Sequence, residues 1–158
     1  MGYVTGDEPK GCIFCSKPAA GDDEGNQILH RGDLTFLMLN AFPYNSGHLL
    51  VAPLRHVADP LEMTPQESSE LLYGIRVAME TLRACLRPEG FNIGLNIGRV
   101  AGAGYAEHLH VHVVPRWPGD TNFMAVAAST RVVPEALPDT YRRLKHVLAQ
   151  RGRGQASG

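Results

Sequence analysis

Apolar residues recur at helical spacing in one long segment. Leu71, Ile75, Ala78, Met79, Leu82 and Leu86 share one face of a helix. Thr64-Pro65-Gln66-Glu67 opens it with a capping residue, a proline at the first helical position and a glutamate three residues after the cap. Pro88 and Gly90 stop it, so the pattern predicts a helix over 64–87. DTYRRLKHVLAQ, 139–150, predicts a second helix near the C-terminus. Elsewhere strand and turn signals take over. Strands are predicted at 27–30 and 34–40 around a turn at Gly32-Asp33, and at 48–53, ended by Pro53. The turn-rich AFPYNSG, 41–47, joins the last two. FNIGLNIG, 91–98, sets Phe91, Ile93, Leu95 and Ile97 on one face and Asn92, Gly94, Asn96 and Gly98 on the other, as in a half-buried strand. After a glycine-containing loop, RVAGAGYA, EHLHVHVVPRW alternates again and is closed as a strand by Pro115. No form is assigned to the small-residue stretch 124–133. Grouped strands with separate helices indicate an α+β fold with an antiparallel sheet.

The length of 158 residues suits one domain with a real core. Fifteen basic residues balance 16 acidic ones, and nothing in this balance points to a general nucleic-acid or membrane-surface binder. No apolar run approaches the roughly 20 residues of a membrane span. The N-terminal residues lack a basic-then-apolar signal, so a cytoplasmic location is expected. Residues 1–10 and 151–158, rich in glycine and polar residues, read as flexible ends.

Three of the seven histidines, His108, His110 and His112, fall at alternate positions. On a strand they share one face, with Leu109, Val111 and Val113 on the other, so the imidazoles are expected to face a pocket or solvent. The outer two lie about 13 Å apart on the strand rise, which is awkward for one shared metal, so separate roles are expected. Cys12-x-x-Cys15 has the spacing of a zinc knuckle, but the pair alone leaves zinc, redox chemistry and chance open. Cys85, on the long helix, reads as core packing.

HLHVHVV resembles the signature of the histidine-triad (HIT) family, and LNAFPYNSGHLLVAPLRHV resembles that family's nucleotide-binding half. The region 96–124 is most similar to the bacterial diadenosine tetraphosphate phosphorylases and hydrolases. The resemblance implies a single HIT domain over 11–150, with a five-stranded antiparallel sheet, a long helix and a C-terminal helix, in a homodimer that joins the sheets. It implies a nucleotide substrate, a dinucleoside polyphosphate cleaved at its α-phosphate through a nucleotidyl-histidine intermediate, with phosphate or water as acceptor. His110 would be the nucleophile. His112 would lie by the α-phosphate and leaving group, and His48 would help position the nucleophile or the phosphates. Asn40 looks like the ribose residue, and Asn96 is placed to contact phosphate. Backbone N–H groups at Gly102 and Gly104 suit phosphate oxygens. Trp117 suits a purine stack or a core position equally. Arg99 and Arg116 could each add charge toward a polyphosphate. By the same resemblance, His56 and His108 would complete a Cys2His2 set with Cys12 and Cys15, making a structural zinc site. Magnesium is expected only as a companion of the polyphosphate, since no acidic site for it is evident.

Three other readings remain open at this point. The histidines could form a catalytic zinc site, which would leave Cys12 and Cys15 unexplained. The substrate could be a nucleoside phosphoramidate, although the stretch after the triad lacks the serine common in that branch. The chain could also bind nucleotides without turning them over.

Overall fold

The computed structural model describes residues 11–120 and 135–155. The expected flexible N-terminus and the stretch 124–133 lie outside these residues, as do 156–158. A helix α1 (Ile13–Ala19) precedes strands β1 (Ile28–Arg31), β2 (Thr35–Leu39) and β3 (Leu49–Pro53). Helix α2 (Pro65–Leu86), β4 (Gly90–Gly94), β5 (Val111–Arg116) and helix α3 (Leu137–Gln155) follow. The five strands form one antiparallel sheet in the order β1-β2-β3-β5-β4. No helix among the described residues is long and apolar enough to cross a membrane.

Side chains of β2, β3 and β5 fall onto two covered faces of the sheet. Leu37, Leu39, Leu49, Val51, Val111 and Val113 face α2 and α3, where Val77, Ala78, Leu82, Tyr141 and Leu144 meet them. Leu71, Ile75, Met79 and Leu86 pack at the margin of this core, as the helical spacing predicts, and Cys85 joins them. The opposite face carries Phe36, Met38, Leu50 and Ala52, covered by Phe14 and the cysteines of the first segment. Each fully buried leucine or valine contributes about 1.5–3 kcal/mol.

Helix α2 begins as its sequence predicts. Thr64 Oγ1 accepts from the Glu67 N–H at 3.1 Å, and Glu67 Oε2 accepts from the Thr64 N–H at 2.9 Å. Glu67 is buried and also receives Arg55 through two contacts of 2.8 Å. The guanidinium draws its carboxyl down to about 2. Glu67→Ala would strip partners from both groups, a loss of about 2 kcal/mol in a denaturant titration. The folded-state pKa is depressed, so this contribution is complete above about pH 4.5 and lost as pH falls toward 2. An unchanged midpoint at pH 7 would show that the box carries no stability.

Three expectations need correction. The triad strand starts at Val111, not at 107, because the Leu109 N–H turns to the Val57 carbonyl at 2.7 Å. Strand β4 ends at Gly94, not 98: its ladder on β5 stops at the Gly94–His112 pair, where the extended partner runs out. Leu95 and Ile97 are therefore exposed instead of half-buried, and Ile93, within β4, is exposed as well. Helix α3 spans 137–155, longer than the 139–150 expected, and takes in residues 151–155 of the expected tail. Tyr141 Oη and Lys145 Nζ fasten it by donating to the Ile28 and Leu29 carbonyls, each at 2.9 Å.

Candidate active site

The turn between β2 and β3 delivers His48 into the sheet. Gly47 precedes it at φ +80°, and a Cβ there would meet Leu86 and Leu82 at 2.6 and 2.9 Å, so only glycine fits. His48 is fully buried. Its Nδ1 accepts the Tyr44 N–H at 3.1 Å, which leaves the proton of the neutral ring on Nε2. That Nε2–H donates to His112 Nδ1 at 2.9 Å. The neutral His112 ring therefore carries its own proton on Nε2. Burial, with repulsion from His112 and His110, pushes His48 down to about 4.

His110 sits next to this pair, its ring 5.0 Å from that of His112. Its Nδ1–H donates to the His108 carbonyl at 2.9 Å, so the Nε2 lone pair is the unprotonated one. Phe14 stacks on the ring at 4.6 Å and 19° and fixes its plane. Burial lowers both His110 and His112, the His108 carbonyl bond partly opposing this for His110. A neutral, oriented imidazole with an open lone pair is a nucleophile at neutral pH. His108 and His110 are buried and His112 is half-buried, so of the pocket or solvent expected for the imidazoles, it is not solvent that they face.

His108 turns the other way. Its Nδ1 lies 3.3 Å from Cys12 Sγ, 3.5 Å from Cys15 Sγ and 3.2 Å from His56 Nδ1. Cys15 Sγ and His56 Nδ1 are 3.4 Å apart. The four ligand atoms all lie within 4.8 Å of one another, and the group can hold a metal ion. His108 Nε2–H donates to the Pro53 carbonyl at 2.8 Å, which leaves the Nδ1 lone pair pointing into the cluster. Burial pushes His108 down to about 4, so the ring is neutral, as a ligand must be.

A sequence model of the HIT domain matches residues 23–119. The chain belongs to the HIT family. A protein named AP-4-A phosphorylase from Mycobacterium tuberculosis is 46% identical over 131 residues, covering 83% of this chain and 67% of that protein. The asymmetrical bis(5'-nucleosyl)-tetraphosphatase of Schizosaccharomyces pombe is 31% identical over 112 residues, 71% of this chain and 58% of that enzyme. A zinc-bound histidine triad family protein from Mycobacterium smegmatis has the same fold, with a TM-score of 0.72 at 24% identity over 91% of this chain and 97% of that one.

The other residues expected at the site of this HIT protein are distributed unevenly. Asn96 follows β4 and, with His112 and Tyr44, lines a cavity of about 480 Å³. Asn40 Oδ1 accepts the Phe42 N–H at 2.9 Å, and its Nδ2 lies 3.4 and 3.5 Å from the two nitrogens of His48, over the ring. Gly102 has φ +88°, the left-handed end of a short 3-10 turn. Gly104 lines a second cavity of about 470 Å³, beside Arg99 and the metal-cluster residues Cys12 and His108, not beside His112. Trp117 lines neither cavity. Arg116 borders the first cavity but is held by Asp120 at 2.7 and 2.9 Å, which offsets its charge. Sequence reasoning missed Phe14, Tyr44 and Asp120. The aromatic residue beside each thiol or histidine motif was the one available signal for the first two.

Proposed function

We propose that this HIT-family protein is a cytoplasmic nucleotidyl transferase/hydrolase that cleaves a dinucleoside polyphosphate of the diadenosine tetraphosphate type. The tautomer of His110 carries the reading: with Nδ1–H bound to a peptide oxygen, Nε2 presents a lone pair. Nε2 attacks the α-phosphorus and an N–P bond forms. The bond from that phosphorus to the bridging oxygen breaks, and the departing nucleoside polyphosphate takes the electron pair. As a phosphate anion it leaves near neutrality without a full proton. His112 Nε2–H donates a hydrogen bond to the developing charge. Inorganic phosphate or water then attacks the same phosphorus, and His110 Nε2 recovers its lone pair. Asn40 would hold the ribose through the amide nitrogen that its turn does not use. Asn96 would contact a phosphate oxygen. Gly102, Gly104 and Trp117 enter this reading only through the family resemblance.

We assign the Cys12, Cys15, His56 and His108 cluster to zinc. The usual zinc–nitrogen and zinc–sulfur bond lengths, arranged tetrahedrally, set N–N at about 3.3 Å and N–S at about 3.6 Å. The two Nδ1 atoms already stand 3.2 Å apart, and the N–S separations run from 3.3 to 3.5 Å. Four protein ligands leave no open position, so the ion would be structural. It would tie α1 to the segment carrying the nucleophile. Among the described residues no acidic group of this kind emerges for magnesium. The homodimer is part of the same reading. Strand β4 is paired on one side only, and Leu95 and Ile97 are exposed next to its free edge.

Incubation with diadenosine tetraphosphate, with and without inorganic phosphate, followed by nucleotide chromatography, tests the activity. ADP plus ATP that appears only with phosphate identifies a phosphorylase, as the 46% identical relative is named. AMP plus ATP in phosphate-free buffer identifies a hydrolase with the same intermediate. No cleavage in either refutes the reading.

A further inference from the structure

The cavity beside His112 has a chemical character of its own. It includes His112 but not His110, so it opens on the side of the triad away from the nucleophile. Its cation is already satisfied: Arg116 gives Nε and Nη2 to Asp120 and Nη1 to Asn92. Asp120 also accepts from Asn45 Nδ2 at 2.7 Å, which locks the loop carrying Tyr44 onto the end of β5. Among the described residues no other lysine or arginine lines the cavity. Beyond the His112 and Asn96 donors at its triad end, a phosphate chain would find little charge here. What remains is an aromatic ring, apolar wall from Val114 and Ile93, and the Asn96 carboxamide.

Tyr44 is unusual in this setting. Its ring lies nearly parallel to His112, at 14° and 5.8 Å between centroids, and 4.6 Å from His48. One side is thus braced by two imidazoles, yet the residue is 72% exposed. A braced aromatic with an open face is a stacking platform for a flat heterocycle.

We infer that this cavity is the subsite for the base of the departing nucleoside, with Tyr44 as its stacking surface. The inference rests on the dinucleoside polyphosphate reading and adds the residue that recognises the second nucleoside. The polyphosphate then runs from the α-phosphorus past His112, and the far nucleoside settles against Tyr44. Stacking on one aromatic ring accounts for about a tenfold preference.

The test compares diadenosine tetraphosphate with adenosine 5'-tetraphosphate, which has the same α-phosphate and chain but no second nucleoside. The readout is the ratio of the two kcat/KM values. In the wild type the ratio favours the dinucleoside by about 10-fold. Tyr44→Ala keeps the backbone N–H that sets His48, and it brings the ratio close to one; Tyr44→Phe restores it. If Tyr44→Ala lowers both substrates equally, Tyr44 merely supports the histidines and the subsite is overturned. An unchanged ratio overturns it as well. If adenosine 5'-tetraphosphate is not cleaved at all, the split between KM and kcat on the dinucleoside decides: a Tyr44→Ala loss of about 10-fold carried by KM and recovered by Tyr44→Phe sustains the subsite, whereas an unchanged kcat/KM or a loss carried by kcat overturns it. A wild type that cleaves neither compound refutes the function reading itself, a distinct outcome.

Discussion

His110→Asn lowers turnover of diadenosine tetraphosphate by about 10⁴-fold or more. Asparagine keeps a donor that can reach the His108 carbonyl but has no lone pair equivalent to Nε2. The attack on phosphorus is lost, whereas the groups that hold the nucleotide stay in place. Steady-state rates measure the loss, and a binding titration checks that affinity changes only a few-fold. Rapid quenching of the wild type, followed by intact-protein mass measurement, should reveal a nucleotidyl adduct that the variant lacks. Near-normal turnover in the variant would exclude the covalent route. The same residue sets the pH profile. Burial lowers His110 and His112 below the ordinary 6.5, so the neutral rings persist above that value. Activity is flat near neutrality, and the acid limb falls below pH 6.5.

Removing the metal is expected to have the second largest effect, this time on stability. Cys15→Ser, or exhaustive chelation of the wild type, lowers Tm by about 10 °C. The cluster joins three stretches distant in sequence, at residues 12–15, 56 and 108, and nothing covalent replaces it. Without a cation, His108 Nδ1 and His56 Nδ1 stand 3.2 Å apart with no positive charge between them. Elemental analysis gives the zinc content and calorimetry gives Tm. Serine is close in size to cysteine, so the variant and the stripped wild type should melt together. Purified wild type with no zinc, and a Tm that chelation does not move, would remove the metal from this account.

What could be seen in the chain beforehand depended on whether the determinant was local. Helix α2 was legible because its start is written in four adjacent residues and its face in a spacing of three and four. The strands were legible for different reasons: β2 and β3 are short apolar runs buried on both faces, and β5 lies in an alternating stretch. Cys12, Cys15, His56 and His108 are brought together into a group that can hold a metal ion, as the family resemblance implied. Helix α1 was not legible. It has seven residues, a proline inside it and no side-chain cap, and it is held by the packing of Phe14 and the cysteines against the sheet. The early end of β4 and the late start of β5 share one cause. Alternation continues through 95–98 and 107–110, but Leu109 and the His108 carbonyl place their hydrogen bonds elsewhere, on Val57 and on the His110 ring. A side-chain pattern cannot report where a backbone group finds its partner. Tyr44 and Asp120 escaped for a similar reason: their roles depend on contacts across 68 to 75 positions, Tyr44 with His112 and Asp120 with Asn45.

Residue 108 orients the His110 ring with its peptide oxygen, a group that every amino acid brings, while its imidazole sits between the Cys12, Cys15 and His56 cluster and the Pro53 carbonyl. The three histidines of the signature therefore differ in how replaceable they are. A descendant that lost its cysteines would gain freedom to change residue 108, provided the main chain kept its course there. Under the proposed mechanism residues 110 and 112 have no such latitude, because their ring nitrogens would take part directly.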